Sequence, residues 1–230
     1  MEDRITTNNY LLIKIVDAAE QSAAGIYIPE KHRDIPRWGW VLDVGEGVFD
    51  ITGKVFHPPF EPGDLVYFMM HAPEKMDYSD KGLGVLHFVS EGDIQIKLKV
   101  GRNDDGTKTY QLMPIGNYVE IEPMEDMVRK QTEGGIFLPD QIIDRPSVAK
   151  VISVGPGQRT MTGYGAPRVK PGDVVRYRMY SSQTIKFESL GLDRPATTII
   201  PYGDVLAVEV PDFENLLKSR IKEYADRLSS

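Results

Sequence analysis

Two segments about 110 positions apart present the same residue types in the same order: Ser22-Ala23-Ala24-Gly25-Ile26-Tyr27-Ile28-Pro29 and Thr132-Glu133-Gly134-Gly135-Ile136-Phe137-Leu138-Pro139. Each sets an apolar triplet, Ile26-Tyr27-Ile28 or Ile136-Phe137-Leu138, between small residues and a proline inside a polar stretch. An isolated triplet bounded by glycine builds little core. It suits binding, where each large apolar side chain that leaves water for a partner's groove gains roughly 1.5–3 kcal/mol. Gly25, Gly134 and Gly135 supply hinge freedom beside the triplets.

Covalent chemistry finds no comparable set. The chain has no cysteine, which removes thiol nucleophiles, thiolate metal sites and disulfides together. His32, His57, His71 and His87 all fall in the first half without ligand spacing on one element, so no metal site is expected. No Ser/His/acid or paired-carboxylate set recurs between the halves, and the chain is expected not to be an enzyme. Gly155-Pro156-Gly157 lacks the third glycine and the following helix pattern of a nucleotide-binding turn, so no cofactor is expected.

The elements that must position the triplets are duplicated with them. Asn9-Tyr10-Leu11-Leu12-Ile13-Lys14-Ile15 answers to Asn117-Tyr118-Val119-Glu120-Ile121, both strand-like. After the triplet-bearing stretches, Gly39-Trp40-Val41-Leu42-Asp43-Val44-Gly45-Glu46-Gly47 answers to Ala149-Lys150-Val151-Ile152-Ser153-Val154-Gly155-Pro156-Gly157, each a half-buried strand ending in Gly-x-Gly. Asp50-Ile51-Thr52-Gly53-Lys54 and Thr162-Gly163-Tyr164-Gly165 read as hairpin tips. Glu61-Pro62-Gly63-Asp64 and Lys170-Pro171-Gly172-Asp173 read as type II turns that feed strands. Glu91-Gly92-Asp93-Ile94-Gln95-Ile96 answers to Tyr202-Gly203-Asp204-Val205-Leu206-Ala207.

The offsets between these landmarks stay between 108 and 111, with the small insertions in loops. Short strands at regular spacing, with 21 glycines and 16 prolines at turn-like sites, predict an all-β chain with one small β-barrel per copy. The first barrel is expected over residues 1–106 and the second over 107–210, joined at the turn Asn103–Gly106. That join is too short for a free linker, so the barrels should sit close together. Residues 211–230 have no counterpart in the first copy. There Pro211-Asp212 starts a helix with Asp212 as N-cap, and Phe213, Leu217, Ile221, Tyr224 and Leu228 form an apolar stripe. Such a helix either packs on its own barrel or joins subunits.

Composition narrows the partners. A hydrophobic content of 41% supports packed cores. The net charge of −7 leaves no positive footprint for nucleic acid. No apolar run approaches the length of a membrane span. The start, Met1-Glu2-Asp3-Arg4, carries no apolar signal core and is neither Arg- nor Ser-rich. The expected location is cytoplasmic: host cytoplasm for a phage-encoded chain, plastid stroma for a processed form.

In this order the landmarks resemble the co-chaperonin family (chaperonin 10, GroES-like). Its pattern runs from an N-terminal strand through a loop of the kind S-A-G-G-I-V-L, a V-L-A-V-G-x-G strand and turn, a roof hairpin, V-G-D-x-V and a closing D-I-L-A-x-V. This chain carries the pattern twice, as two-domain co-chaperonins of chloroplasts do. Both triplets place an aromatic where the family usually has a small aliphatic residue. The resemblance implies two tandem GroES-like barrels, each with a long mobile loop and a roof hairpin. It also implies that Ile26, Tyr27, Ile28, Ile136, Phe137 and Leu138 contact chaperonin 60, and that a homo-oligomeric ring caps a cage holding unfolded substrate protein. Two other readings stand beside it. One is a structural or virion protein of duplicated barrels. The other is a dehydrogenase with a GroES-like domain, which would need a nucleotide-binding glycine fingerprint that this chain lacks.

Overall fold

Two copies of one strand pattern account for the architecture in a computed structural model that describes residues 6–16, 37–69, 73–103, 108–124, 147–160, 163–187, 190–192, 194–210 and 213–228. The first copy contains β1 (Tyr10–Ile15), β2 (Trp38–Val44), β3 (Val48–Phe49), β4 (Val55–Phe56), β5 (Leu65–Phe68), β6 (Glu74–Tyr78), β7 (Gly84–Ser90) and β8 (Ile94–Arg102). Strand β9 (Lys108–Pro114) follows. The second copy contains β10 (Tyr118–Pro123), β11 (Ser147–Val154), β12 (Gln158–Thr160), β13 (Gly163–Gly165), β14 (Val174–Tyr177), β15 (Gln183–Ile185), β16 (Thr197–Pro201) and β17 (Val205–Val208). Helix α1 (Phe213–Leu228) ends the described chain. One sheet runs β6-β7-β1-β2-β5-β8-β9 and the other β15-β16-β10-β11-β14-β17, all antiparallel.

Each sheet curls on itself, because the chain crosses its mouth in one short turn. Ser90 pairs with Tyr10 on β1, and Ile94 pairs with Phe68 on β5. Only the 3-10 turn Glu91–Asp93 separates them, a reach of at most about 14 Å. In a flat sheet, strands four places apart would lie about 19 Å from each other. Glu91 N donates to Asn9 O (2.8 Å) and Met69 N to Asp93 O (3.0 Å), stitching the mouth. The turn Tyr202–Asp204 repeats this in the second copy, with Tyr202 N to Asn117 O (2.7 Å) and Arg178 N to Asp204 O (3.0 Å). The ladders themselves stay open between β6 and β9 and between β15 and β17.

The expected turns form. Gly63 (φ 95°) and Gly172 (φ 93°) take the left-handed conformation that a type II turn needs, and Asp64 N and Asp173 N close the two turns onto Glu61 O and Lys170 O (3.0 and 3.1 Å). Alternation along the strands then fills two cores. One packs Leu11, Ile13, Val41, Phe60, Val66 and Phe68, the other Val119, Ile121, Val151, Val169, Val175 and Tyr177.

The hairpin reading of the second copy needs a correction. Gly163–Gly165, expected in the tip, form β13, which pairs with β12. The returning strand therefore starts earlier, with Gly163 paired to Thr160, and residues 161–162 lie outside the described ones. Glycines resemble a tip in sequence, but here Gly165 is edge backbone against which Gly157 closes: a Cβ on Gly157 (φ 104°) would strike Gly165 O.

A third apolar cluster joins the copies. Trp38, Leu65, Tyr67, Ile96, Leu98 and Leu112 pack with Ile185, Phe187 and Ile199. Period-2 alternation makes this possible: Val66 and Phe68 face the first core while Leu65 and Tyr67 face the second copy. The Trp38 ring lies 5.0 Å from Tyr67, edge-on, and 5.7 Å from Phe187. Below it, β8 and β9 pair from Ile96↔Pro114 to Arg102↔Lys108. The expectation of close-set copies is met by a shared core.

Helix α1 forms where the stripe predicts. Within the chain, Leu217 (42% exposed) and Ile221 (67% exposed) are not buried, so the helix does not pack these two stripe residues on its own barrel. The expected cap residue, Asp212, lies outside the described residues.

Candidate functional site

All nine expected site residues, the triplets Ile26-Tyr27-Ile28 and Ile136-Phe137-Leu138 with Gly25, Gly134 and Gly135, lie within 17–36 and 125–146, outside the described residues. The structure describes where those segments leave and rejoin the barrels. In the first copy Ile15 pairs with Gly39, and Val16 N donates to Trp38 O (2.8 Å). In the second, Pro123 pairs with Ala149, and Met124 N donates to Val148 O (2.9 Å). Each segment therefore departs from one strand and returns on its antiparallel neighbour. A bulge recurs at the same place in both strand pairs, between Leu12 and Ile13 and between Glu120 and Ile121.

The two return points differ. In the first copy it is Arg37-Trp38, locked into the joint. Arg37 Nε donates to Phe68 O (3.0 Å), its Nη2 to Gln95 Oε1 (3.0 Å), and its guanidinium stacks 4.5 Å over the Tyr67 ring. Gln183 of the second copy lies 2.9 Å from Tyr67 Oη, and with its amide oxygen turned to the cation it accepts from both the phenol and Arg37. The second copy has Ser147-Val148 at the same place. Sequence reading missed Arg37, Trp38, Tyr67, Gln95, Gln183 and Phe187. Comparing the copies position by position just after the triplets would have exposed the Arg-Trp/Ser-Val difference.

On the roof, β3 and β4 hold a tip where Asp50 Oδ1 accepts from Thr52 N (2.7 Å), Thr52 Oγ1 (2.7 Å) and Lys54 N (2.9 Å). These bonds, the Thr52 hydroxyl first, hold the Asp50 carboxyl below its ordinary pKa. The hairpin exposes Phe49 (71%) and Ile51 (75%). A cleft of about 440 Å³ opens between the copies, lined among others by Asn9, Ile94, Ile115, Asn117, Tyr118 and Pro201. Glu91 is the one carboxylate in its lining, which holds no histidine and so no acid–base pair. Among the described residues, no group of three His, Cys, Asp or Glu is placed to hold a metal ion, and no helix is long and apolar enough to cross a membrane.

The geometry defines a class: a tandem β protein that presents a long strand-anchored segment and a roof hairpin from each of two copies. A family model, the chaperonin 10 Kd subunit, matches residues 5–98 and again 111–209, so the chain belongs to the chaperonin 10 family, with two family units in tandem. It is 28% identical over 200 residues to the 20 kDa chaperonin, chloroplastic, of Arabidopsis thaliana, covering 86% of this chain and 72% of the relative. It is also 30% identical over 121 residues to the co-chaperonin GroES of Aquifex aeolicus, covering 52% of this chain and 93% of the relative.

Proposed function

We propose that this chain is a co-chaperonin whose ring caps a chaperonin 60 ring and encloses unfolded substrate protein during ATP-dependent folding. The lid has no catalytic step of its own. Ile26, Tyr27, Ile28, Ile136, Phe137 and Leu138 dock in apolar grooves of the chaperonin, with Gly25, Gly134 and Gly135 as hinges. The observation that carries this reading is the double family match, 5–98 and 111–209, with both triplet segments anchored between equivalent strands. The domain division is taken at 106/107, between β8 and β9, a reading supported by the gap between the two matched stretches. The site of action is the compartment that houses the chaperonin, cytoplasm or plastid stroma.

The energetics suit a reversible lid. A docked triplet gains roughly 1.5–3 kcal/mol per large apolar side chain, and ordering its segment costs roughly 1–2 kcal/mol per residue. One contact is weak. Once the first has formed, the others are intramolecular, and a ring of them holds firmly. Strand β17 is the last strand of its sheet, whereas β8, its counterpart, carries β9 along its outer side. That asymmetry supports a ring in which a neighbouring chain covers β17.

Native mass spectrometry and co-migration with chaperonin 60 test the reading. Association in the presence of ATP or ADP, and its absence without nucleotide, is expected. A chain that never associates with chaperonin overturns the lid and leaves a structural β protein.

A further inference from the structure

The duplication allows each contact of the internal joint to be rewritten with the copies exchanged. Strand registers fix the equivalences. Trp38 pairs with Tyr67 as Val148 pairs with Arg176, so Arg176 stands where Tyr67 does. Glu74 pairs with Phe88 as Gln183 pairs with Ile199, and Phe88 and Ile199 pair with the equivalent residues Leu12 and Glu120, so Glu74 stands where Gln183 does. Inside the chain, Gln183 of the second copy meets Tyr67 of the first at 2.9 Å. The exchanged contact is Glu74 with Arg176, a carboxylate and a guanidinium on the two outer faces of the molecule.

The next layer changes from apolar to charged. Leu98 lies opposite Leu112 in the β8–β9 ladder. Leu65 pairs with Leu98, and its equivalent Val174 accepts from Glu209 N (2.7 Å), so Glu209 takes the place of Leu98. Apolar bulk persists on the Glu74 face, where Met76 (38% exposed) stands for Ile185; Val148, which stands for Trp38, is already buried within the chain. Glu74 is exposed. Arg176 lies 2.7 Å from Glu209, while its buried Nε has no acceptor.

We propose that the face carrying Arg176, Glu209 and β17 docks on the face carrying Glu74 and Met76 of a second copy of this chain, repeating the internal joint with a Glu74–Arg176 ion pair. The joint presupposes the ring proposed above and sets its character. Joints alternate around the ring, one apolar and covalently tied, the next charged. Setting Glu74 against Arg176 favours head-to-tail docking, because Glu74 against Glu74, or Arg176 against Arg176, would oppose like charges. Salt screens the charged joint and leaves the apolar one.

Sedimentation equilibrium of the full chain tests this, with circular dichroism confirming that variants are folded. Glu74→Arg and Arg176→Glu are each expected to weaken self-association at least about tenfold. The double variant E74R/R176E restores it. Wild-type association falls as NaCl rises from about 0.05 M to about 0.5 M, without loss of folded signal. Wild-type chains that assemble while both folded single variants assemble equally well overturn this joint and leave the ring standing. Wild-type chains that stay monomeric at low salt overturn the ring itself.

Discussion

The two copies share a backbone and diverge in side chains, and the divergence is concentrated on particular faces. Core positions match in kind: Ile13 with Ile121, Val41 with Val151, Val66 with Val175, Phe68 with Tyr177. Turn and bulge positions match in conformation, down to Asn8 (φ 55°) and Gly116 (φ 56°), 108 positions apart. Away from these, the copies part. Where the first copy buries Leu12 (4% exposed), the second buries Glu120 (5%), held by Ser153 Oγ and Thr197 Oγ1 at 2.7 Å each. Where the first return point is Arg37-Trp38, the second is Ser147-Val148. The fold is thus maintained by turns and core alternation, while the outer faces are free to specialise once two copies share a chain.

The largest effect that can break the comparison concerns the triplets. Ile136→Glu or Leu138→Glu is expected to abolish chaperonin binding by calorimetry, since every chain of a ring loses a contact at once. Ile26→Glu and Ile28→Glu are expected to do the same while leaving both barrels folded. Unequal losses would show that the copies do not share the load evenly. Next comes the joint. Trp38→Ala should cost about 3–5 kcal/mol in urea unfolding, because Trp38 is 2% exposed and packs on both copies, whereas Val148→Ala at the equivalent place should cost far less. Equal costs would mean that the joint adds nothing to stability.

Smaller still is the buried carboxylate. Glu120→Ala should cost about 1–3 kcal/mol, because the Ser153 and Thr197 hydroxyls lose their shared acceptor. Importing the first copy's pair, as E120L/T197L, should recover most of that loss in the same measurement. The smallest effect is on pH dependence. Burial, with Lys75 beside it, holds the His87 pKa below its ordinary value, and its Nδ1 has no partner. The unfolded chain then binds a proton more readily than the folded one, so stability is present above the ordinary histidine pKa and declines as pH falls through it. His87→Thr, the residue of the second copy (Thr198), should flatten that decline in thermal melts across pH 5–7.

Much of the fold was legible because its signals are local. Pro-Gly-Asp turns, Gly-x-Gly ends and β-branched runs each state a backbone conformation within a few residues, and their repetition in one order excludes most alternatives. The joint was not legible, because Trp38, Tyr67 and Phe187 read as ordinary strand aromatics until register shows which face they occupy. The second hairpin tip was misplaced because glycine occurs in strands as well as turns: Gly163 and Gly165 belong to β13, and Gly157 closes against the Gly165 backbone. Of the candidate site, the sequence gives residue types and the structure gives the anchoring strands. The triplets themselves lie outside the described residues.

The clamp at Arg37 and Trp38 also has a mechanical meaning. A pull on residues 17–36 arrives at Arg37 and Trp38, and through them at Gln183 and Phe187 of the other copy. A pull on residues 125–146 arrives at Ser147 and Val148 and is borne first by the second barrel, through the pairing of β11 with β14. Tension therefore passes across the joint from the first copy to the second more directly than in reverse, so the chain has a direction under load that neither copy would have alone.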